Sequence, residues 1–204
     1  MNFVNGAKVS QPRKRVLIGA TGSVASVKIP IIVKTLLEEM SEQVEVKVVT
    51  TDAALHFFDR KTIPVEVLAD RDEWSAWSKI PDPVMHIDLR NWADMIIICP
   101  LDANTLAKLA QGLCDNLLTC ILRAWDERKP VIVCPAMNTN MWNHKFTAMH
   151  LSTLTDILGY QVIPPISKLL ACGDLGIGAM ADYRTIVNEI KKQVKLMSVP
   201  EETL

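Results

Sequence analysis

Four short polar segments each follow an apolar run, and each carries residue types that can do chemistry. Thr21-Gly22-Ser23-Val24 is the first. Backbone N–H groups and the Ser23 hydroxyl at such a turn can hold a phosphate against the positive end of a helix. A plain Gly-Ser N-cap has the same composition, so both readings stand. The dinucleotide fingerprint G-x-G-x-x-G would need two further glycines, which favours a mononucleotide over NAD. In the second segment, Pro100-Leu101-Asp102-Ala103-Asn104-Thr105, two candidate caps and a threonine exceed what one helix start uses. The third, Pro135 to Trp142, pairs Asn138 with Met137 and Met141, methionines that could equally be core filler. Ala171-Cys172-Gly173-Asp174-Leu175-Gly176-Ile177-Gly178 is the fourth, with three glycines in six residues, as in a mobile loop and candidate lid. A cysteine there is a better candidate for reactivity than Cys99 or Cys134, which lie inside apolar runs. Of the four histidines, His86 precedes a strong strand candidate and is the one worth following; His56, His144 and His150 have no special context.

These segments need a scaffold, and the apolar pattern supplies one. Strands are expected at Arg15 to Thr21, Val44 to Thr50, Val65 to Leu68 (the weakest), Met95 to Pro100, Pro130 to Pro135 and, last, Gln161 to Pro164. Helices are expected at Val24 to Met40, kinked or restarted at Pro30, and at Ala103 to Trp125, broken near Gly112. Two more are expected at Phe146 to Leu158 and Thr185 to Met197. Continuous apolar strands alternating with helices imply an open parallel sheet, Rossmann-like, with helices on both faces of a single α/β domain. Ligands of such sheets bind beyond the carboxyl ends of the strands, where the four segments fall.

Composition sets the outer bounds. The chain has 204 residues, 49% of them hydrophobic, and 22 basic against 23 acidic residues leave a net charge of −1. That is too apolar for a disordered chain and lacks the basic footprint of a nucleic-acid binder. No apolar run reaches a membrane span, and the polar N-terminus argues against a signal peptide. Five cysteines without a C-x-x-C pair argue against a disulfide framework or a zinc site, and for a reducing, cytoplasmic setting. No metal site is expected. Residues 15–197 are expected to form the domain, with 1–14 and 198–204 as tails. Arg13-Lys14-Arg15 resembles a nuclear-localisation patch but is better read as a solvated tail.

Together the segments resemble one family, the homo-oligomeric flavin-containing cysteine decarboxylases, over about Arg15 to Ile190. Asp102-Ala103-Asn104-Thr105 after a proline and Pro135-x-Met137-Asn138-x-x-Met141-Trp142 are similar to its two signatures. His86-Ile87-Asp88-Leu89-Arg90, Cys114-Asp115-Asn116-Leu117-Leu118-Thr119 and Ala171-Cys172-Gly173-Asp174 resemble its eukaryotic members. The resemblance implies FMN at the interfaces of a homotrimer. It assigns the FMN phosphate to Gly22, Ser23 and Val24, and the rest of the cofactor to Thr50, Asp102, Ala103, Asn104, Thr105 and Ala136. His86 would be the base and Cys172 the proton donor. Asn138, Met141, Arg90 and Ala171 would contact substrate. Two departures matter. Asn91 stands where the family often has a second arginine, which leaves Lys168 as a candidate replacement cation, and Asp102 stands where bacterial members have serine.

The implied reaction is FMN-dependent conversion of 4′-phospho-N-pantothenoylcysteine to 4′-phosphopantetheine, a step towards coenzyme A. Direct loss of CO₂ would leave an unstabilised carbanion, so transient oxidation to a thioaldehyde is needed first. A histidine with an ordinary pKa of about 6.5 can take a proton at neutral pH, and a thiol of about 8.5 is protonated yet acidic enough to give one. Other readings are a peptidyl-cysteine decarboxylase, a flavin prenyltransferase-like relative, which would not need Cys172, and a phosphatase-binding regulatory subunit. The last is disfavoured because no long acidic tail follows Pro200.

Overall fold

A computed structural model describes residues 12–169, 173 and 175–198. In chain order the elements are β1 (Lys14–Ala20), α1 (Ile29–Met40), β2 (Val44–Thr50), β3 (Val67–Ala69), α2 (Asp70–Ala76), α3 (Met85–Trp92), β4 (Met95–Leu101) and α4 (Ala103–Gln111). Then come α5 (Leu117–Arg123), β5 (Val131–Pro135), α6 (Thr139–Trp142), α7 (Lys145–Ser152), β6 (Gln161–Val162), β7 (Ile166–Leu169), β8 (Leu175–Ala179) and α8 (Tyr183–Leu196). β1 to β6 form one sheet in the order β3-β2-β1-β4-β5-β6, and every pairing in it is parallel. This is the Rossmann order, with its switch point between β1 and β4.

The sheet is buried on both sides because side chains alternate along each strand. Val16, Ile18 and Ala20 of β1 and Met95, Ile97 and Cys99 of β4 join the core under α1 and α8. Leu17, Ile96, Ile98 and Leu101 join the opposite core, under α3, α4 and α5. All of these are fully buried. The expected helix from Val24 divides at Pro30: Val24–Lys28 is a 3-10 turn, and Pro30 sits in the first turn of α1, where its missing N–H costs nothing.

Sequence periodicity missed several elements. α2 and α3 escape notice because each is about two turns long with few buried side chains. Gln161 to Pro164 is not the last strand. Beyond it β7 and β8 pair antiparallel as a separate hairpin, so Leu175–Ala179, expected as part of a mobile loop, is a strand. The hairpin is pinned where Met137 N donates to Gly178 O at 2.9 Å. Gly178 has φ of +142°, and an added Cβ would run into the Met137 carbonyl, so only glycine fits. The first strand begins one residue earlier than expected, at Lys14, whose N–H bonds Gln43 O.

The strand ends at the switch point are joined by one hydroxyl. Thr21 is fully buried, and its Oγ1 donates to Pro100 O and accepts from Asp102 N, both at 2.8 Å. Leaving a buried backbone group unpaired costs about 1–3 kcal/mol. Thr21→Val should therefore lower unfolding free energy by about 2–4 kcal/mol in urea titration, with Thr21→Ser retaining most of it. Equal stability of the valine variant would show that the hydroxyl is dispensable.

Candidate functional site

Beyond that clip the carboxyl ends of β1 and β4 lie almost in contact. Ser23 caps the 3-10 turn, its Oγ accepting from Ala25 N at 3.4 Å, and Ser26 Oγ donates to Thr21 O at 2.7 Å. Asp102 caps α4, its Oδ1 accepting from Thr105 N at 2.7 Å. At Gly22 an added Cβ would sit 2.9 Å from the Ala53 Cβ and 3.1 Å from Asp102 Oδ2. Glycine is thus required by close approach, and the turn forms a cradle of backbone against the Asp102 carboxylate. Thr50 ends β2, fully buried, with its Oγ1 donating to Thr51 O at 3.1 Å. Ala103 and Thr105 open α4, while Asn104 is exposed on the same turn.

A cavity of about 490 Å³ opens beside this cradle. Ser23, Val24 and Ala136 line it together with Asn138 and Lys168, so cofactor and substrate candidates share one space. Lys28 and Asp182 also line it, and neither stood out in the sequence. Asn138 caps α6, its Oδ1 accepting from Asn140 N at 2.8 Å. Lys168 reaches the cavity from β7. Met141 is half exposed on α6, outside the lining; its carbonyl accepts from Thr147 Oγ1 at 2.5 Å. Ala171 and Cys172 lie outside the described residues.

Two expected residues stand apart from the cavity. His86 is on α3, with its ring Nδ1 2.6 Å from Glu73 Oε1 on α2. In α2, in α3 and in the segment joining them, Trp74, Trp77, Ile80, Val84 and Ile87 are exposed. Arg90 is directed at the carboxyl end of α5: its Nε donates to Ala124 O at 2.8 Å, and its NH1 donates to Asn91 Oδ1 at 3.0 Å. Asp126, whose carboxyl is held well below the usual range mainly by hydrogen bonds from Arg128, lies 3.8 Å from Arg90. Arg90 is thus not among the residues lining the cavity, and its guanidinium faces Ala124, Asn91 and Asp126.

The buried thiols are chemically quiet. Burial alone pushes Cys99 up to about 12, and burial with the neighbouring Cys99 pushes Cys134 well above its ordinary value. Neither offers thiolate at neutral pH, in line with their reading as packing residues. Among the described residues no cluster of histidine, cysteine and carboxylate suits a metal ion. No described helix is long and apolar enough to cross a membrane.

The donor set suits FMN. The glycine cradle and two capped helix starts give a phosphate backbone N–H groups to meet. The Asp102 carboxylate offers an acceptor for ribityl hydroxyls, and the apolar walls at Val24, Ala136 and Met137 suit a planar ring.

Comparison with known proteins agrees. The family model described as Flavoprotein matches residues 5–195. The chain is 53% identical to phosphopantothenoylcysteine decarboxylase of Mus musculus over 183 residues, covering 89% of this chain and 88% of the relative. It is 55% identical to that of Arabidopsis thaliana, covering 88% and 85%. Among solved structures, a cysteine-to-serine mutant of PPC decarboxylase complexed with pantothenoylaminoethenethiol superposes with a TM-score of 0.85 at 51% identity, covering 90% of this chain and all of that one. The FMN binding protein AtHal3 gives 0.83 at 50% identity, covering 92% and 100%. With its switch-point cradle and a match along nearly its whole length, the chain belongs to the Flavoprotein family, among the phosphopantothenoylcysteine decarboxylases.

Proposed function

We infer that the cavity at the carboxyl ends of β1, β4 and β5 carries out FMN-dependent decarboxylation of 4′-phospho-N-pantothenoylcysteine to 4′-phosphopantetheine. The observation that carries this is the joining of Ser23, Val24 and Ala136 to Asn138 in one space next to the Gly22 cradle. Likeness to decarboxylases at more than half identity names the reaction.

The residue roles are part of the proposal. Gly22, Ser23 and Val24 hold the cofactor phosphate, and Thr50, Asp102 to Thr105 and Ala136 hold the remainder. Bound FMN supplies removal of two electrons from the C–S unit of the substrate and their later return. His86 takes the proton released in the oxidation. The thioaldehyde places an electron sink beside the carboxylate, CO₂ departs, and Cys172 protonates the ene-thiolate carbon. Asn138, with Met141 and Ala171, positions the cysteine end, and Lys168 serves the anionic substrate where Asn91 replaces an arginine. One domain, residues 15–197, holds these groups.

A homotrimer completes the site on this reading. Supporting it, His86 is not among the residues lining the cavity, and α2 and the segment that leads from it to α3 carry large exposed apolar side chains, among them Trp74, 77% exposed, and Ile80, 87% exposed. Apolar patches of this kind mark protein contacts. A neighbouring subunit would bring its His86 to this cavity. The setting is cytoplasmic, where thiols stay reduced.

Three variants test the reading. Gly22→Ala, whose Cβ would press on Ala53 and Asp102, should weaken FMN binding by about tenfold or more in a fluorescence titration. Unaltered affinity would remove the cradle from the cofactor site. His86→Asn should keep its flavin yet leave it oxidised on anaerobic mixing with substrate; bleaching at the wild-type rate would show that His86 is not the base. Cys172→Ser should release CO₂ and then stall with reduced flavin and a product two hydrogens lighter than phosphopantetheine by mass. Normal turnover would deny Cys172 a chemical role, and a folded variant releasing no CO₂ would move it to the oxidation step.

A further inference from the structure

Glu73 has no part in the roles above, yet it makes the closest contact to His86. One oxygen, Oε1, lies 2.6 Å from the ring Nδ1 and accepts from the His86 backbone N–H at 3.3 Å. The Glu73 side chain is 14% exposed and that of His86 29%. Among the described residues the histidine is Glu73's ion-pair partner. Asp70 and Cys120, which feel the Glu73 charge, carry no positive charge themselves: burial raises the Asp70 carboxyl and, to about 11, the Cys120 thiol.

We propose that Glu73 is a positioning residue for the oxidation step, holding His86 with its proton on Nδ1 so that Nε2 is the proton acceptor. A carboxylate can only accept, so a contact at 2.6 Å assigns the hydrogen to Nδ1 and leaves the Nε2 lone pair for substrate. As Nε2 takes the proton from the cysteine end of the substrate, the ring becomes a cation and the Glu73 charge stabilises it. The proton stays on His86, and no proton passes to Glu73. The proposal rests on the reading of His86 as base.

Glu73 also has a structural duty that the test must separate. Val84, at the N-cap of α3, has no capping side chain, and Oε1 occupies that place for the His86 N–H. Glu73→Gln keeps shape and an acceptor while removing charge. Glu73→Ala/Val84→Ser removes the carboxylate and gives α3 a cap of its own.

The measurement is anaerobic stopped-flow reduction of the holoenzyme by substrate, with rates expressed per bound FMN so that unfolded protein drops out. A general base supplies about 10²–10⁴ in rate, so Glu73→Gln should slow flavin bleaching by roughly 10–100-fold at unchanged half-saturating substrate. Glu73→Ala/Val84→Ser should regain thermal stability over Glu73→Ala but none of the rate. Glu73→Gln/His86→Asn should be no slower than His86→Asn alone, since residues acting as a unit are non-additive. The proposal falls if His86→Asn is inert while Glu73→Gln bleaches within about twofold of wild type, or if the added cap restores the rate. Wild-type bleaching by His86→Asn would instead overturn the assignment of the base itself, and the Glu73 proposal with it.

Discussion

The Thr21 hydroxyl closes the gap between two strands that diverge at the centre of the sheet. At the switch point of a parallel sheet the connections leave β1 and β4 on opposite faces, so the space beyond their carboxyl ends would otherwise open. A single oxygen that donates to Pro100 and accepts from Asp102 keeps the two ends in register. Gly22 can then lie against the Asp102 carboxylate with no room for a Cβ. Everything at the site is built outward from this apposition: the Ser23 and Asp102 caps, the start of α4 and the neighbouring wall at Ala136.

The sheet can hold so polar a crevice because its own strands make no polar demands. β1, β4 and β5 are apolar throughout their inner lengths and packed on both faces, so the polar groups are confined to the ends. The same arrangement explains the inert thiols. Cys99 and Cys134 sit among these apolar side chains, where a thiolate would be stranded without solvent or a cation. Chemistry is left to groups at strand ends and on the outer helices.

What was legible in the sequence follows this division. Long apolar strands with β-branched residues, such as Val44–Thr50 and Met95–Leu101, announce themselves through continuous burial, and the break near Gly112 separates α4 from α5 as expected. The short elements did not show. α2 buries no residue fully and α3 only Leu89, so neither leaves a helical stripe in the pattern. β7 is exposed along its length, and the glycines of β8 read as a loop until Met137 and Thr139 are seen packed against them. Candidate residues were found by type at strand ends, and Ser23, Val24, Ala136, Asn138 and Lys168 do meet at one cavity. Thr21 was read only as part of the Gly22-Ser23 turn, and its link to Pro100 and Asp102 did not show because a threonine ending a strand has no distinguishing spacing. Glu73 was missed because the pairing across thirteen residues depends on how α2 and α3 pack.

The choice of an amide rather than a cation at Asn138 has a physical reason on the proposed reading. The substrate carries two anionic groups, but only its carboxylate changes during the reaction, leaving as neutral CO₂ while charge moves towards sulfur. A lysine or arginine against that carboxylate would stabilise the ground state more than the transition state and so raise the barrier. An amide orients the group through hydrogen bonds while resisting the loss of charge far less. The phosphate, by contrast, is unaltered by the chemistry, so cations that bind it stabilise ground and transition states alike and serve only to hold the substrate. Lys28 and Lys168 on the cavity wall are therefore suited to the phosphorylated end, and Asn138 to the end that reacts.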